Sequence, residues 1–259
     1  MNDKGDMRSA APPASRYAML TFGSSAELAE TAARRWLDEL AARKATAGYC
    51  AAVSGGRIAK TFFNEIARQA QARPRLLAPV HFFWADERCV PPADSESNYG
   101  LAHTHLLAPL GIAAARVHRV RGETAPGVAA DEAEAELRRV ASLNSVGVPV
   151  LDMIFLGMGE DGHVASLFPG PPTQVPSPGR IYYPVTASKP PPERITLGLA
   201  TILAARAVWV MVSGPGKERA LRESLRPDGR TPLAQVLRGR TNTIVFTEIR
   251  LERGPSGVG

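Results

Sequence analysis

Residues 151–157, LDMIFLG, form a short apolar run that breaks at once into GMGEDGHVASLFPG, residues 157–170. An apolar run of that length, closed by glycines, suits a strand buried on both faces. Runs of the same kind recur at 49–53 (YCAAV), 80–85 (VHFFWA), 207–212 (AVWVMV) and 241–246 (TNTIVF). Helical patterns fill the intervals. Ser24 and Glu27 stand in capping-box spacing, and Leu28, Ala32, Trp36 and Leu40 then recur every four residues. Another helix follows SGGR and runs to about Gln71. Buried strands alternating with helices predict one α/β domain, with a mostly parallel sheet covered by helices on both faces. The domain is expected over 16–250, with tails at 1–15 and 251–259. The proline-rich stretches at 169–178 and 190–192 read as surface loops.

Composition narrows the classes of function. The 259 residues are 44% hydrophobic and 22% charged, which suits a folded soluble protein rather than a disordered one. No apolar run approaches the roughly 18 residues of a membrane helix, and the N-terminus lacks the apolar core of a signal peptide. Two cysteines, Cys50 and Cys89, cannot make a disulfide scaffold. They read as buried, inert thiols in a reducing, cytoplasmic setting. The net charge is +6, but the arginines are scattered. Arg34-Arg35 and Arg138-Arg139 fall on amphipathic helices, where a solvated face accounts for them. A small anionic substrate explains a basic site as well as nucleic acid does.

In a parallel α/β sheet, ligands bind beyond the carboxyl ends of the strands. Four segments there carry chemistry. Ser54-Gly55-Gly56-Arg57 turns from strand to helix, and small residues at a helix N-terminus let an anion approach. It is neither a P-loop nor a dinucleotide fingerprint. Asp86-Glu87-Arg88 ends a very apolar strand and suggests an arginine that holds an anion, oriented by the acids. Ser97-Asn98-Tyr99 then opens a helix carrying His103 and His105, two apart and a poor metal pair. Asp161 and His163 flank Gly162 and have the parts of a general base with its orienting carboxylate. Arg194 precedes the strand at 207–212. Ser213, Gly214 and Lys217 follow it, in a second small-residue turn where a first-turn lysine opposes the helix dipole unless an anion is bound.

VSGG at 53–56, VHFFWADERCVPPADSESNYG at 80–100, LDMIFLGMGEDGHVASLFPG at 151–170 and ERITL with SGPGK at 193–217 closely resemble the 6-phosphogluconolactonase family. The match runs from about 20 to 250 in the right order. It implies a modified Rossmann-like α/β fold and hydrolysis of 6-phospho-D-glucono-1,5-lactone, the second step of the oxidative pentose phosphate pathway. No metal or organic cofactor is implied, and the partner is the sugar-phosphate lactone, bound by a monomer or weak homo-oligomer. On this resemblance His163 is the base and Asp161 orients it. Arg88, held by Asp86, meets the developing charge. Ser54, Gly55, Gly56, Arg194 and Lys217 hold the 6-phosphate, with Arg194 and Lys217 converging on one spot. Many relatives follow the glycines with Ser or Thr and then Thr-Pro, where this chain has Arg57, Ile58 and Ala59. The related glucosamine-6-phosphate deaminases continue the DGH loop to Asn-Glu-Pro. Here Ser166-Leu167-Phe168-Pro169 offers no carboxylate. A non-catalytic sugar-phosphate regulator would keep the phosphate cradle and lose the base.

Overall fold

The computed structural model describes residues 17–43, 48–73, 75–170 and 179–251. From the N-terminus run β1 (Tyr17–Thr21), α1 (Ser25–Ala42), β2 (Tyr49–Val53), α2 (Arg57–Ala70), β3 (Val80–Trp84), β4 (Asp86–Arg88) and α3 (Asn98–Ala102). Then follow α4 (Pro126–Val140), β5 (Ser142–Leu143), β6 (Pro149–Val150), β7 (Met153–Gly157), β8 (Tyr182–Thr186) and β9 (Glu193–Leu197). The chain closes with α5 (Leu199–Ala204), β10 (Ala207–Val212), α6 (Glu218–Leu225), α7 (Pro232–Gly239) and β11 (Thr243–Thr247).

Six strands form one all-parallel sheet in the order β1-β11-β10-β7-β2-β3. Every residue of β2 and β11 is buried, as a strand covered on both faces requires. Right-handed crossovers place α1 and α2, which pack on each other, on one face. The same rule puts α5, α6 and α7 on the other, where α7 packs on both its neighbours. The residues expected on the inner face of α1 are buried there, and Trp36 meets Phe155 edge-on with ring centroids 5.0 Å apart. Ser24 caps α1 by accepting from the Glu27 N–H, and Glu27 returns the bond to Gly23 rather than to Ser24. Arg35 and Arg139 pair with Glu39 and Glu136 on their own helices, as solvated faces do, whereas Arg138 and its partner Glu134 also tie α4 to Gly147 O and to the Ile181 N–H. Both cysteines are free, and burial pushes each thiol up to about 11.

β1 carries no clear sequence signal. It is a short edge strand with a mixed, half-exposed pattern. The second sheet was equally hidden: β4, β9 and β8 pair antiparallel in that order. Ala85 is the pivot between the sheets. Its N–H donates to Val53 O at 2.8 Å in the parallel sheet, and its carbonyl accepts from Leu197 N–H at 2.8 Å in the antiparallel one. The loop at 190–192 connects β8 to β9, whereas 171–178 and both tails, apart from Leu251, lie outside the described residues. None of the described helices is long and apolar enough to cross a membrane.

The chain reverses its course across the sheet between β2 and β7. From β2 it steps to β3 on one side; from β7 it proceeds to β10 and β11 on the other. Loops leaving two such neighbours diverge and open a crevice at their carboxyl ends.

Candidate active site

That crevice is lined by the turn after β2, the loop after β7, β4, Arg194 of β9 and Lys217. The loop after β7 is closed on itself by Gly159 N–H to His163 O at 2.9 Å and Gly162 N–H to Gly159 O at 3.1 Å. A Cβ on Gly159 would stand 2.1 Å from the His163 ring, so only glycine lets the imidazole fold back here. His163 Nδ1 lies 2.6 Å from Asp161 Oδ1, which also accepts the His163 backbone N–H at 3.1 Å. An ionised carboxylate only accepts, so Nδ1 is the donor, and in the neutral imidazole Nε2 is then the nitrogen with the free lone pair. Burial acts to raise the Asp161 carboxyl, but the charge and hydrogen bonds of His163 hold it below its ordinary value.

Strand alternation sorts the three residues of β4. Asp86 and Arg88 share one face, opposite Thr196 and Arg194 of β9, and both line the crevice. Glu87 faces the other way and caps α3. It accepts from the N–H groups of Arg88 (2.8 Å), Asn98 (2.7 Å) and Tyr99 (2.7 Å) and from Ser97 Oγ (3.2 Å). Burial pushes its carboxyl up to about 7. The expected grip of Asp86 on Arg88 is not formed. Alternate residues of a strand point in parallel about 6.6 Å apart, and each finds another partner. Asp86 Oδ2 accepts from Ser166 Oγ at 2.8 Å, while Arg88 Nη1 donates to Glu96 O at 2.6 Å and Glu96 Oε2 at 3.1 Å.

The cations form two pairs. Arg194, 7% exposed, stands directly across the ladder from Arg88, where like charges repel. Burial first, and Arg88 second, push its guanidinium down from the ordinary value. It donates to Pro191 O at 3.1 Å, and Phe168 separates it from His163, with the rings 4.9 Å apart and the guanidinium 5.7 Å from the Phe168 centroid. Lys217, the N-cap residue of α6, is pushed down by burial and then by Arg57, while Glu160 and Glu248 pull it up. Arg194 and Lys217 line one crevice, as expected, each with its own cationic neighbour, Arg88 for the first and Arg57 for the second. Arg194 reaches the crevice from β9 of the antiparallel sheet, beside Arg88, and Lys217 from the start of α6.

The two small-residue turns also differ. Ser213 Oγ and Gly214 N–H both donate to Glu248 Oε1, at 3.0 and 2.9 Å, so that turn is already occupied by a carboxylate of the chain itself. The turn after β2 is open. Ser54 Oγ is buried without a partner, and Gly56 starts α2 with no side-chain cap and no acid in the first turn. Arg57 is the first helical residue there, an unfavourable place for a cation unless an anion joins it. A Cβ on Gly55 would stand 1.8 Å from Asn98 Oδ1, and Asn98 Nδ2 donates to Asp86 O at 2.9 Å, tying this turn to β4.

Sequence reasoning left Arg57 open and missed Asn98, Ser166 and Phe168. Arg57 adjoins the glycines and was legible as a neighbour. The other three act across the fold, and no local pattern announces that. His103 and His105 do not pair: His105 Nδ1 meets Asn64 Oδ1 at 3.0 Å and His103 packs on Tyr99. Among the described residues no group of three or more His, Cys, Asp or Glu could hold a metal ion.

The family model for glucosamine-6-phosphate isomerases/6-phosphogluconolactonase matches residues 23–245. The chain is 37% identical over 222 residues to a Homo sapiens 6-phosphogluconolactonase, covering 83% of this chain and 84% of that one. It is 36% identical over 231 residues to the Bos taurus 6-phosphogluconolactonase, covering 88% of each. Among solved structures, 6-phosphogluconolactonase from Trypanosoma brucei superposes with a TM-score of 0.77 at 27% identity, over 90% of this chain and 97% of that one. The chain belongs to the glucosamine-6-phosphate isomerase/6-phosphogluconolactonase family.

Proposed function

We infer that the protein hydrolyses 6-phospho-D-glucono-1,5-lactone to 6-phospho-D-gluconate, the second step of the oxidative pentose phosphate pathway. The observation that carries this reading is the His163–Asp161 pair, 2.6 Å apart, at the mouth of a crevice holding two separate cation pairs. A phosphorylated lactone presents two sites of negative charge, one permanent at the phosphate and one that develops at C1.

In this reading His163 Nε2 takes a proton from water as the water oxygen bonds to C1. Asp161 holds the imidazole in the tautomer that can do so and stabilises the imidazolium that results. The carbonyl oxygen becomes an oxyanion and meets Arg88 and Arg194, whose mutual repulsion it relieves. As the C1 carbonyl re-forms, the bond to the ring oxygen breaks, and the imidazolium returns the proton to that oxygen. The acid so formed ionises to the gluconate. The 6-phosphate sits at the N-terminus of α2, against Ser54, Gly55 and Gly56, with Arg57 and Lys217 as its cations. Binding energy from that remote dianion fixes C1 before His163. Arg194 thereby moves from the phosphate to the reacting end, and Asp86, fixed by Ser166, is placed to accept from a sugar hydroxyl.

The deaminase alternative is disfavoured by Phe168. Its ring packs 4.9 Å from His163, in the stretch where the deaminases carry a carboxylate. A binding protein without activity would not need the intact base. The reading includes a cytoplasmic enzyme with domain limits of 16–250, acting as a monomer or weak homo-oligomer, with no nucleic-acid or membrane partner. The test is acid release from freshly generated lactone, after subtraction of its spontaneous hydrolysis. Release no faster than the spontaneous rate overturns the reading.

A further inference from the structure

Ser166 lies three residues beyond His163 and is 1% exposed. Its hydroxyl donates to Asp86 Oδ2 at 2.8 Å, across 80 residues of chain, and its N–H donates to Thr196 Oγ1 at 3.2 Å. Asp86 and Thr196 are register partners in the β4–β9 ladder, on the face that also carries Arg88 and Arg194. Ser166 therefore grips both strands of that ladder at one point. The turn that presents it is tight, with Leu167 N–H returning to Val164 O at 3.0 Å. Its corner, Ala165, has φ +50°, the one left-handed non-glycine among the described residues. Such a conformation is strained for a residue with a Cβ and persists where the surroundings over-determine it. The two buried bonds of Ser166 are what over-determine it here. On the far side of the turn Phe168 fills the space between His163 and Arg194.

We propose that Ser166 is a positioning residue for lactone hydrolysis: it pins the turn following His163 to the ladder face bearing Asp86, Arg88 and Arg194, and so sets the separation between the base and the charges that meet the oxyanion. This rests on the lactonase reading. Ser166 touches no substrate in it. The phosphate seat at α2 and Lys217 is built from other elements and is independent of Ser166.

The test is Ser166→Ala, assayed with freshly generated phosphorylated lactone beside the wild type. A misplacement of about 1 Å can cost 100-fold, so kcat should fall roughly 10–100-fold. KM and the Kd for 6-phosphogluconate should move by a clearly smaller factor, no more than the loosening of one Asp86–hydroxyl contact allows, with a cooperative melting transition retained. A general deformation of the site would move KM by the same factor as kcat. Thr196→Val, which removes the acceptor for the Ser166 N–H at nearly constant shape, should lower kcat in the same selective way. The double variant should lose less than the product of the two single losses, because both act through one turn. A folded Ser166→Ala enzyme with kcat within twofold of wild type overturns the proposal, as does a loss shared equally by KM. If Ser166→Ala does not fold, Thr196→Val decides by the same criteria. A wild type no faster than spontaneous hydrolysis overturns the lactonase reading and this proposal with it; an active wild type with an unaffected variant overturns the proposal alone.

Discussion

The two cation pairs look alike in a list of residues and differ in how they are held. Arg88 and Arg194 are cross-strand neighbours in a ladder, one of them almost fully buried, and are held in place by Glu96 and by loop carbonyls. Arg57 and Lys217 sit at the starts of two helices, α2 and α6, next to an uncapped helix N-terminus. In the proposed reaction the first pair meets charge that forms at C1, and the second receives charge already present on the ligand. Rigid, preorganised cations suit a transition state; cations at helix starts suit a dianion that must enter and leave.

The largest expected effect lies between the two pairs. His163→Ala should lower kcat by roughly 10²–10⁴, the usual worth of a positioned general base. The Kd for 6-phosphogluconate should change far less, because neither cation pair is touched. Single-turnover rates and product binding measure the two effects separately. Wild-type turnover by the variant would remove His163 from the mechanism.

Next comes Arg194→Gln. Charged hydrogen bonds are worth about 1.5–3 kcal/mol, so kcat should fall about 10–100-fold. The fall should be the same for phosphorylated and unphosphorylated glucono-1,5-lactone, since both develop the same oxyanion. A loss confined to KM for the phosphorylated lactone would return Arg194 to the phosphate and collapse the distinction between the seats.

A smaller effect concerns the buried face of β4. Glu87 has a folded value of about 7, above the ordinary value of 4.5, so the native state binds the extra proton within that window. Raising the pH through it should therefore cost stability, at up to about 1.4 kcal/mol per pH unit. Below the window the contribution is fully present. Glu87→Gln should flatten that slope in urea unfolding measured from pH 4 to 8. An equal slope in both proteins would contradict the assignment.

The same contrast explains what was readable in the sequence. The parallel sheet announces itself because strands buried on both faces must be continuously apolar, as YCAAV and AVWVMV are. The His163 loop announces itself because only glycine lets the backbone close around an imidazole. The antiparallel sheet does not. ERITL and YYPVT are short and mixed; they pair with each other, and ERITL pairs with a three-residue strand only because the chain pivots at Ala85. The pairing of Arg194 with Arg88 depends on that hidden sheet, and nothing local to Arg194 reveals it. Ser213 and Gly214 read as a second cradle because nothing local reveals that Glu248, more than thirty residues on, fills it.

The most direct test of the two-seat account compares kcat/KM for phosphorylated and unphosphorylated glucono-1,5-lactone in wild type and Lys217→Ala. Wild type should strongly prefer the phosphorylated lactone. Lys217→Ala should lower kcat/KM for that substrate about 10–100-fold, chiefly through KM, and leave the unphosphorylated lactone nearly unchanged. Similar kcat/KM for both lactones in wild type, or equal losses on both in the variant, would contradict a phosphate seat at α2 and Lys217.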